Sequence, residues 1–190
     1  MRIIAGSARG TILETPGGEG TRPTLERVKE NFFNAINFEL AEARVLDLFA
    51  GSGQLGLEAL SRGARGAVFV DINADCVEII AKNAQKAKLY HKCSILKYDC
   101  ADYLAGLKKR KDFEKFDIVF LDPPYEPGKN QIGECMKKIL KNGFVSEGGL
   151  VICETGEGGP PDFDFGEIKK SRVYKYGKVH ITILTMGSIG

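Results

Sequence analysis

The segment from Val45 to Gly56 places a glycine-rich turn directly after an apolar run. Gly51, Gly53 and Gly56 fit the pattern G-x-G-x-x-G, in which a backbone without Cβ atoms lets a ligand approach closely. The helix that follows offers N–H groups without partners in the helix. Asp71 comes about twenty residues later, where a carboxylate can accept hydrogen bonds from ribose hydroxyls. The segment therefore predicts a site for a cofactor that contains adenosine.

Acidic residues near the ends of the predicted strands narrow the choice of cofactor. Asp47 would repel a pyrophosphate, whereas S-adenosylmethionine has no phosphate and carries an ammonium and a sulfonium that a carboxylate attracts. Asp71 ends the second predicted strand, and Asp99 follows the third. Because ligands bind at the carboxyl ends of parallel strands, we expect Asp99 to accept a hydrogen bond from the adenine amino group. The three acids favour S-adenosylmethionine.

The sequence Asp122-Pro123-Pro124-Tyr125 is the most specific chemical signal in the chain. Its prolines fix φ and lack N–H groups, so the carbonyl groups of Asp122 and Pro123 are held in an extended geometry. An exocyclic amine of a nucleobase is a poor nucleophile because its lone pair is delocalised into the ring. A carboxylate and a carbonyl can bind its two hydrogens and align the lone pair with an electrophilic methyl group, while Tyr125 stacks on the base. The motif predicts methyl transfer to an amine without a covalent intermediate.

Apolar runs alternate with helical patterns along most of the chain, which predicts an α/β fold with a doubly wound, mostly parallel sheet. Residues 2–14 predict two short β segments about a small-residue turn. We therefore expect one domain, 1–190, with a β-hairpin extension at 1–20 and a Rossmann-like core at 21–190. After a strand from Val45, the predicted strands are 67–71, 94–97, 116–121, 149–154, 167–175 and 179–185. The predicted helices are a first one capped by Thr24, then 73–88, 101–109 and 131–141.

Composition excludes several classes of protein. The net charge is only +2, so charge alone does not identify a partner. The five cysteines contain no C-x-x-C pair and have only two histidines beside them, which argues against a disulfide framework or a zinc site. No stretch approaches the roughly 18 apolar residues of a membrane span, and the N-terminus lacks the apolar core of a signal peptide. We expect a cytoplasmic protein without a metal ion.

Two basic runs are candidates for contact with nucleic acid. Residues 108–111 form one run, and 169–178 form the other, where Tyr174 and Tyr176 interrupt the lysines and arginine. Arg2, Arg9 and Arg22 could add to such a surface. Runs of this kind are more often solvated faces, yet alternating basic and aromatic side chains can also bind phosphates and stack on bases. The sequence leaves both interpretations open.

Longer segments resemble the RsmD family of bacterial methyltransferases, which use S-adenosylmethionine to methylate the N2 amine of a guanine in 16S ribosomal RNA. The matching segments are RIIAGSARG, TRPTLERVKENFFNAI, LDLFAGSGQLGLEALSRGA, DPPY and YKYGKVHITIL. The resemblance implies a Rossmann-like class I S-adenosylmethionine-dependent methyltransferase fold with seven strands, the last one antiparallel. It also implies an N-terminal β extension that helps to hold RNA.

The same resemblance assigns roles to individual residues. It implies a partner that is 16S ribosomal RNA or the assembling small ribosomal subunit, and we expect the protein to act as a monomer. The target base would contact Asp122, Pro123, Pro124 and Tyr125. The cofactor would contact Asp47, Ala50, Gly51, Ser52, Gly53, Asp71 and Asp99.

Three other functions remain open at this point. A methyltransferase of protein glutamine would use similar geometry but typically carries Asn where Asp122 stands. A DNA amino methyltransferase would retain the motif but usually has a separate target-recognition region, for which this chain has little room. A non-catalytic RNA-binding module would not need both the cofactor loop and the Asp-Pro-Pro-Tyr motif.

Overall fold

A computed structural model describes residues 1–18, 23–109, 112–123, 125–156 and 168–187 of the chain. Within these residues, seven strands form one sheet in the order β3-β2-β1-β4-β5-β7-β6. Strand β7 is antiparallel to both of its neighbours, and the other pairs are parallel. The predicted seven-stranded, mostly parallel sheet is confirmed. Its strands are β1 (Arg44–Leu48), β2 (Gly66–Asp71), β3 (Cys93–Lys97), β4 (Phe116–Leu121), β5 (Val145–Thr155), β6 (Ile168–Tyr176) and β7 (Val179–Met186).

Helices cover both faces of the sheet. Buried residues of β4 alternate between two apolar clusters: Ile118 and Phe120 belong to one, and Val119 and Leu121 to the other. The first three helices contribute to the cluster that contains Phe120, and the last two contribute to the other. Burial on both faces explains why the central strands are mostly apolar. The helices are α1 (Pro23–Ala35), α2 (Gln54–Ser61), α3 (Ala74–Lys86), α4 (Cys100–Leu107) and α5 (Tyr125–Asn142).

Two helices begin earlier than predicted. Helix α1 begins at Pro23, so Thr24 lies inside the helix and is not its N-cap. Helix α5 begins at Tyr125, whereas the sequence predicts a helix only from residue 131. Pro127 lies in the first turn of α5, where a proline is tolerated because the N–H groups there have no partner within the helix. The Asp-Pro-Pro-Tyr motif therefore joins β4 directly to a helix N-terminus.

The predicted N-terminal β-hairpin is not confirmed. Residues 1–14 contain a single antiparallel bridge, between Arg2 and Ile12, and no regular strand. Ile3 and Leu13 are buried in the same apolar cluster as α1 and α2. This segment therefore packs against the core and is not a separate hairpin.

Polar side chains of α2 explain why the backbone pairing around the Arg2–Ile12 bridge stays short. The carboxylate of Glu58 accepts hydrogen bonds from the backbone N–H groups of Ile4, at 2.7 Å, and Ala5, at 3.1 Å. The hydroxyl of Ser61 accepts another from Ala8 at 2.9 Å. Because these N–H groups bond to α2, they do not extend the short antiparallel pairing in which Ile3 donates to Thr11 at 3.0 Å and Leu13 donates to Met1 at 2.9 Å.

No helix in the described part of the chain is long and apolar enough to cross a bilayer.

Candidate active site

A cavity of about 600 Å³ lies at the carboxyl ends of β1, β2, β4 and β5. This is the edge of the sheet at which α/β folds bind ligands. Most of the residues predicted to form the site line this one cavity: Asp47, Ala50, Gly51, Ser52, Asp71, Asp99, Asp122 and Pro123.

The glycine-rich loop has the backbone geometry that its sequence predicts. Gly51 has φ +54° and Gly53 has φ +75°, in the left-handed region that residues with a Cβ rarely adopt. Gly53 is the N-cap of α2 and is not among the residues that line the cavity. Gly56 serves packing, since a Cβ there would lie 2.3 Å from the Phe69 ring. The loop can therefore bring its backbone close to a ligand while α2 packs tightly on β2.

Asp47 is buried beneath the loop and fixes the start of α2. Its Oδ2 atom accepts a hydrogen bond from the backbone N–H of Gly56 at 2.8 Å. Burial raises the pKa of Asp47 to about 7, against the lowering effects of the Gly56 hydrogen bond and the positive charge of Lys29, and the nearby Asp71 adds to the increase. Close to neutral pH this group is therefore divided between its charged and neutral forms.

Asp71 ties the loop to the end of β2. Its Oδ2 accepts from the N–H of Gly51 at 2.8 Å, and its Oδ1 accepts from the N–H of Asn73 at 2.9 Å. A carboxylate oxygen has a second lone pair, so Asp71 can also accept from a ligand hydroxyl. Ile72 is 66% exposed and lines the cavity beside it, which provides an apolar surface for a flat ring.

Asp99 caps a helix as well as lining the cavity. It is the N-cap of α4, where its Oδ1 accepts from the N–H groups of Ala101 at 2.8 Å and Asp102 at 3.1 Å. Both of these bonds go to the same oxygen. The side chain is exposed, so a cap and a ligand contact are compatible at this position.

Asp122 is half-buried where β4 meets α5, and Pro123 beside it is buried. Loss of hydration raises the pKa of Asp122 to about 8, and the negative charges of Glu154 and Asp47 add to the increase, whereas Lys29 opposes it. Pro124 and the side chain of Tyr125 lie outside the described residues, so their predicted contacts with the base stay predictions.

Lys29 and Glu154 are cavity residues that sequence reasoning missed. Lys29 is 8% exposed, and its Nζ donates a hydrogen bond to Oε1 of Gln54 at the start of α2. Phe32 and Phe33, three and four residues after Lys29, are fully buried, and residues at this spacing share one face of a helix. A lysine on the apolar face of the predicted first helix was therefore the signal in the sequence that could have identified this residue. Glu154 could have been found by the strand-end rule that identified Asp71.

Other cavity residues have no acidic or basic group. Phe49 has φ +61°, and its N–H donates to the thiol sulfur of Cys100 at 3.3 Å. Burial raises the pKa of the Cys100 thiol to about 12, which does not suit a nucleophile at neutral pH. The five cysteines are free thiols. Among the described residues, no group of acidic, histidine or cysteine side chains is arranged to hold a metal ion.

The basic run at 169–178 lies on β6, an edge strand of the sheet. Lys169, Lys170 and Lys175 are exposed. Tyr174 and Tyr176 are half-buried and pack against the apolar cluster of α1, so only part of each side chain is available to stack on RNA bases. In the other run, residues 110 and 111 lie outside the described residues, as does Arg22. Contact between these runs and RNA stays a prediction.

Comparison with known proteins identifies relatives over almost the whole chain. A family model described as "Conserved hypothetical protein 95" matches residues 1–185. "Putative rRNA methyltransferase YlbH" of Bacillus subtilis is 33% identical, with 96% of this chain and 97% of the relative covered. "Ribosomal RNA small subunit methyltransferase D" of Haemophilus influenzae is 35% identical, with 84% of this chain and 81% of the relative covered.

The fold also matches a solved structure. The structure titled "Putative methyltransferase yhhF from Escherichia coli" matches with a TM-score of 0.84 and 30% sequence identity. The match covers 100% of this chain and 99% of the chain in that structure. The strand order and this similarity confirm the predicted Rossmann-like class I methyltransferase fold.

Proposed function

Because the chain belongs to the RsmD family, whose model is described as "Conserved hypothetical protein 95", we propose that it methylates the N2 amine of a guanine in 16S ribosomal RNA, with S-adenosylmethionine as the methyl donor. The observation that carries the proposal is the shared cavity. The glycine loop after β1 and the Asp122-Pro123 segment after β4 line the same space, because β1 and β4 are neighbouring parallel strands. A cofactor and an amine substrate can therefore meet there.

The residues around the loop fit S-adenosylmethionine. Asp71 would accept from the ribose hydroxyls, Ile72 would contact the adenine ring, and Asp99 would accept from the adenine amino group. Gly51 allows the cofactor to approach the backbone. Asp47 supplies negative charge near the ammonium and the sulfonium. When bound, S-adenosylmethionine would supply an electrophilic methyl group.

Asp122 and the carbonyl group of Pro123 would hold the target amine. Two acceptors that bind the amine hydrogens direct the nitrogen lone pair towards the methyl carbon, and this alignment provides catalysis without a covalent intermediate. The amine nitrogen gains a bond to carbon and must lose one proton. With a pKa of about 8, Asp122 is suited to accept that proton near neutral pH.

The proposed substrate is ribosomal RNA or a particle of the small subunit, in keeping with the names of the relatives. A base within a helix would have to leave its stack to reach Asp122, at a cost of a few kcal/mol. We propose that the chain forms one domain, because Ile3 and Leu13 of the N-terminal segment are buried in the main apolar cluster.

Transfer of a radiolabelled methyl group tests the proposal. Small-subunit RNA and particles from cells that lack the homologous enzyme would be incubated with the protein and labelled S-adenosylmethionine, and the products digested to nucleosides. We expect labelled N2-methylguanosine. We also expect Asp122→Asn to lose the activity, and the matched control Asp112→Asn, an exposed residue outside the cavity, to keep it.

The other outcomes separate the alternatives. Label in DNA, in protein or in another nucleoside would retain amino methylation but refute the substrate. Transfer at the wild-type rate by Asp122→Asn would refute the role of this carboxylate. An absence of transfer together with an absence of cofactor binding by calorimetry would favour the non-catalytic RNA-binding module.

A further inference from the structure

Glu154 lies beside Asp122 on the neighbouring strand. Leu121 of β4 is in register with Cys153 of β5 in a parallel pair, so the next residues, Asp122 and Glu154, are level with each other. Neighbouring strands are about 4.8 Å apart. Both side chains line the cavity. The structure thus places two carboxylates side by side at one end of the cavity.

The two carboxylates also lie on the same face of the sheet. Phe120 and Ile152, two positions before Asp122 and Glu154, pair with each other and both belong to the apolar cluster that includes α1. Side chains alternate between faces along a strand, so the side chains two residues later, Asp122 and Glu154, point to that face again. Phe32 and Phe33 of α1 pack against Phe120 there.

Like charges at this separation destabilise each other, and the negative charge of Glu154 raises the pKa of Asp122. The positive charge of Lys29 partly stabilises the ionised forms of Asp122 and Asp47 and so lowers the pKa of each. Lys29 is the one lysine or arginine among the described residues that line the cavity. A pair of neighbouring acceptors is well suited to a ligand that presents donors on two adjacent nitrogens.

Among the candidate substrates, guanine presents such an edge. Its N2 amine is adjacent to N1–H, a second donor. The amine of adenine is adjacent to N1, the amine of cytosine to N3, and the nitrogen of a glutamine amide to a carbonyl oxygen, and each of these neighbours is an acceptor that a carboxylate repels. The chemistry of the pair therefore distinguishes the substrates that the Asp-Pro-Pro-Tyr motif alone leaves open.

We infer that Glu154 accepts a hydrogen bond from N1–H of the target guanine while Asp122 accepts from its N2 amine, so that Glu154 restricts the site to guanine. The inference rests on the proposed function and deepens it. It makes Glu154 a specificity-determining residue that contacts the substrate, whereas Asp122 aligns the reacting nitrogen.

A base-analogue experiment tests the role of Glu154. The methylated guanine is first mapped in the labelled small-subunit RNA, and RNA is then assembled with either guanosine or 2-aminopurine riboside at that position. 2-Aminopurine keeps the amine but has an acceptor at N1. Single-turnover methyl transfer is measured for wild type, for Glu154→Gln and for Glu147→Gln, a matched control at an exposed position at the other end of β5.

For wild type, we expect guanine to react about 10- to 100-fold faster than 2-aminopurine. In Glu154→Gln that preference should fall at least about tenfold, because the amide can donate to N1 of 2-aminopurine and the carboxylate cannot. Glu147→Gln should keep the wild-type preference. Calorimetric affinity for S-adenosylhomocysteine should be the same in all three proteins, and the thermal midpoint should not fall in either variant, which excludes a general loss of folding.

Two results would overturn the inference in distinguishable ways. If wild type forms N2-methylguanosine and Glu154→Gln slows guanine and 2-aminopurine by the same factor, Glu154 does not read N1–H, although the proposed function stands. If wild type transfers no label to guanine in either RNA or particles, the proposed function fails and the inference fails with it.

Discussion

The raised pKa of Asp122 predicts how methyl transfer should depend on pH. The carboxylate must be ionised to accept hydrogen bonds from an amine and then a proton. Its pKa is about 8, since burial and the charge of Glu154 outweigh the effect of Lys29. The profile of kcat/KM against pH reports the free enzyme, so the rate should rise as pH increases through 8.

The size of the effect follows from the ionised fraction. With a pKa of about 8, Asp122 is mostly neutral at pH 7 and mostly ionised at pH 8.5. We therefore expect kcat/KM to increase several-fold, up to about tenfold, between pH 7 and pH 8.5. An ordinary aspartate, already fully ionised at pH 7, would give a flat profile over this range.

The assay is transfer of labelled methyl to small-subunit RNA at saturating cofactor and limiting RNA, from pH 6.5 to 8.5 at constant ionic strength. Wild type is compared with Asp122→Asn and with the exposed control Asp112→Asn. The control should reproduce the wild-type rise. Asp122→Asn should be slow and show no rise, because its amide does not titrate. A flat wild-type profile, or an unchanged rise in Asp122→Asn, would refute the reasoning.

Three further perturbations test individual contacts. Asp71→Asn should weaken binding of S-adenosylhomocysteine about tenfold by calorimetry, and unchanged affinity would remove Asp71 from the cofactor site. Gly56→Ala should lower the free energy of unfolding in urea by about 1–3 kcal/mol, because the added methyl meets the Phe69 ring at 2.3 Å, whereas Gly133→Ala, with nothing within 4 Å, should not be destabilised. For Asp47, whose pKa rises from 3.8 to about 7 on folding, the native state binds the proton more tightly, so stability should fall between pH 4 and 7 by at most about 4 kcal/mol. Asp47→Asn should show a smaller fall than wild type in urea titrations at each pH, because only the raised pKa of Asp122 then contributes, and an equal fall in the variant would contradict the role of Asp47.

The sequence predicts the sheet well because its central strands are buried on both faces. The predicted bounds of β4, 116–121, are those of the structure, since the apolar run from Ile118 to Leu121 ends abruptly at Asp122. The strand-end rule also directs attention to Asp47 and Asp71, both of which line the cavity. Each of these signals is local, so a few adjacent residues carry it.

The N-terminal segment could not be predicted in the same way. Its alternating residues suit a hairpin, but Ile4 and Ala5 bond to Glu58, more than fifty residues away in the chain. Gly6 belongs to the same contact, because a Cβ there would lie 1.9 Å from the carbonyl oxygen of Ser61. The residues near 2–14 in the sequence do not indicate that these contacts form. Tertiary hydrogen bonds therefore limit the local pairing that the pattern favours to a few residues around the Arg2–Ile12 bridge.

The charge balance of the cavity explains why its remaining residues also escaped sequence analysis. Lys29 comes from α1, Asp122 follows β4, and Glu154 lies near the end of β5. Only the folded chain brings the three side chains together. A buried lysine alone would be costly, and so would two adjacent carboxylates. Together they leave an excess of acceptors that one cation partly offsets, at the position where an amine must be held. Sequence analysis found Asp122 but missed Lys29 and Glu154, because their burial is tolerable only beside each other and Asp122, which is also why this group can select a substrate.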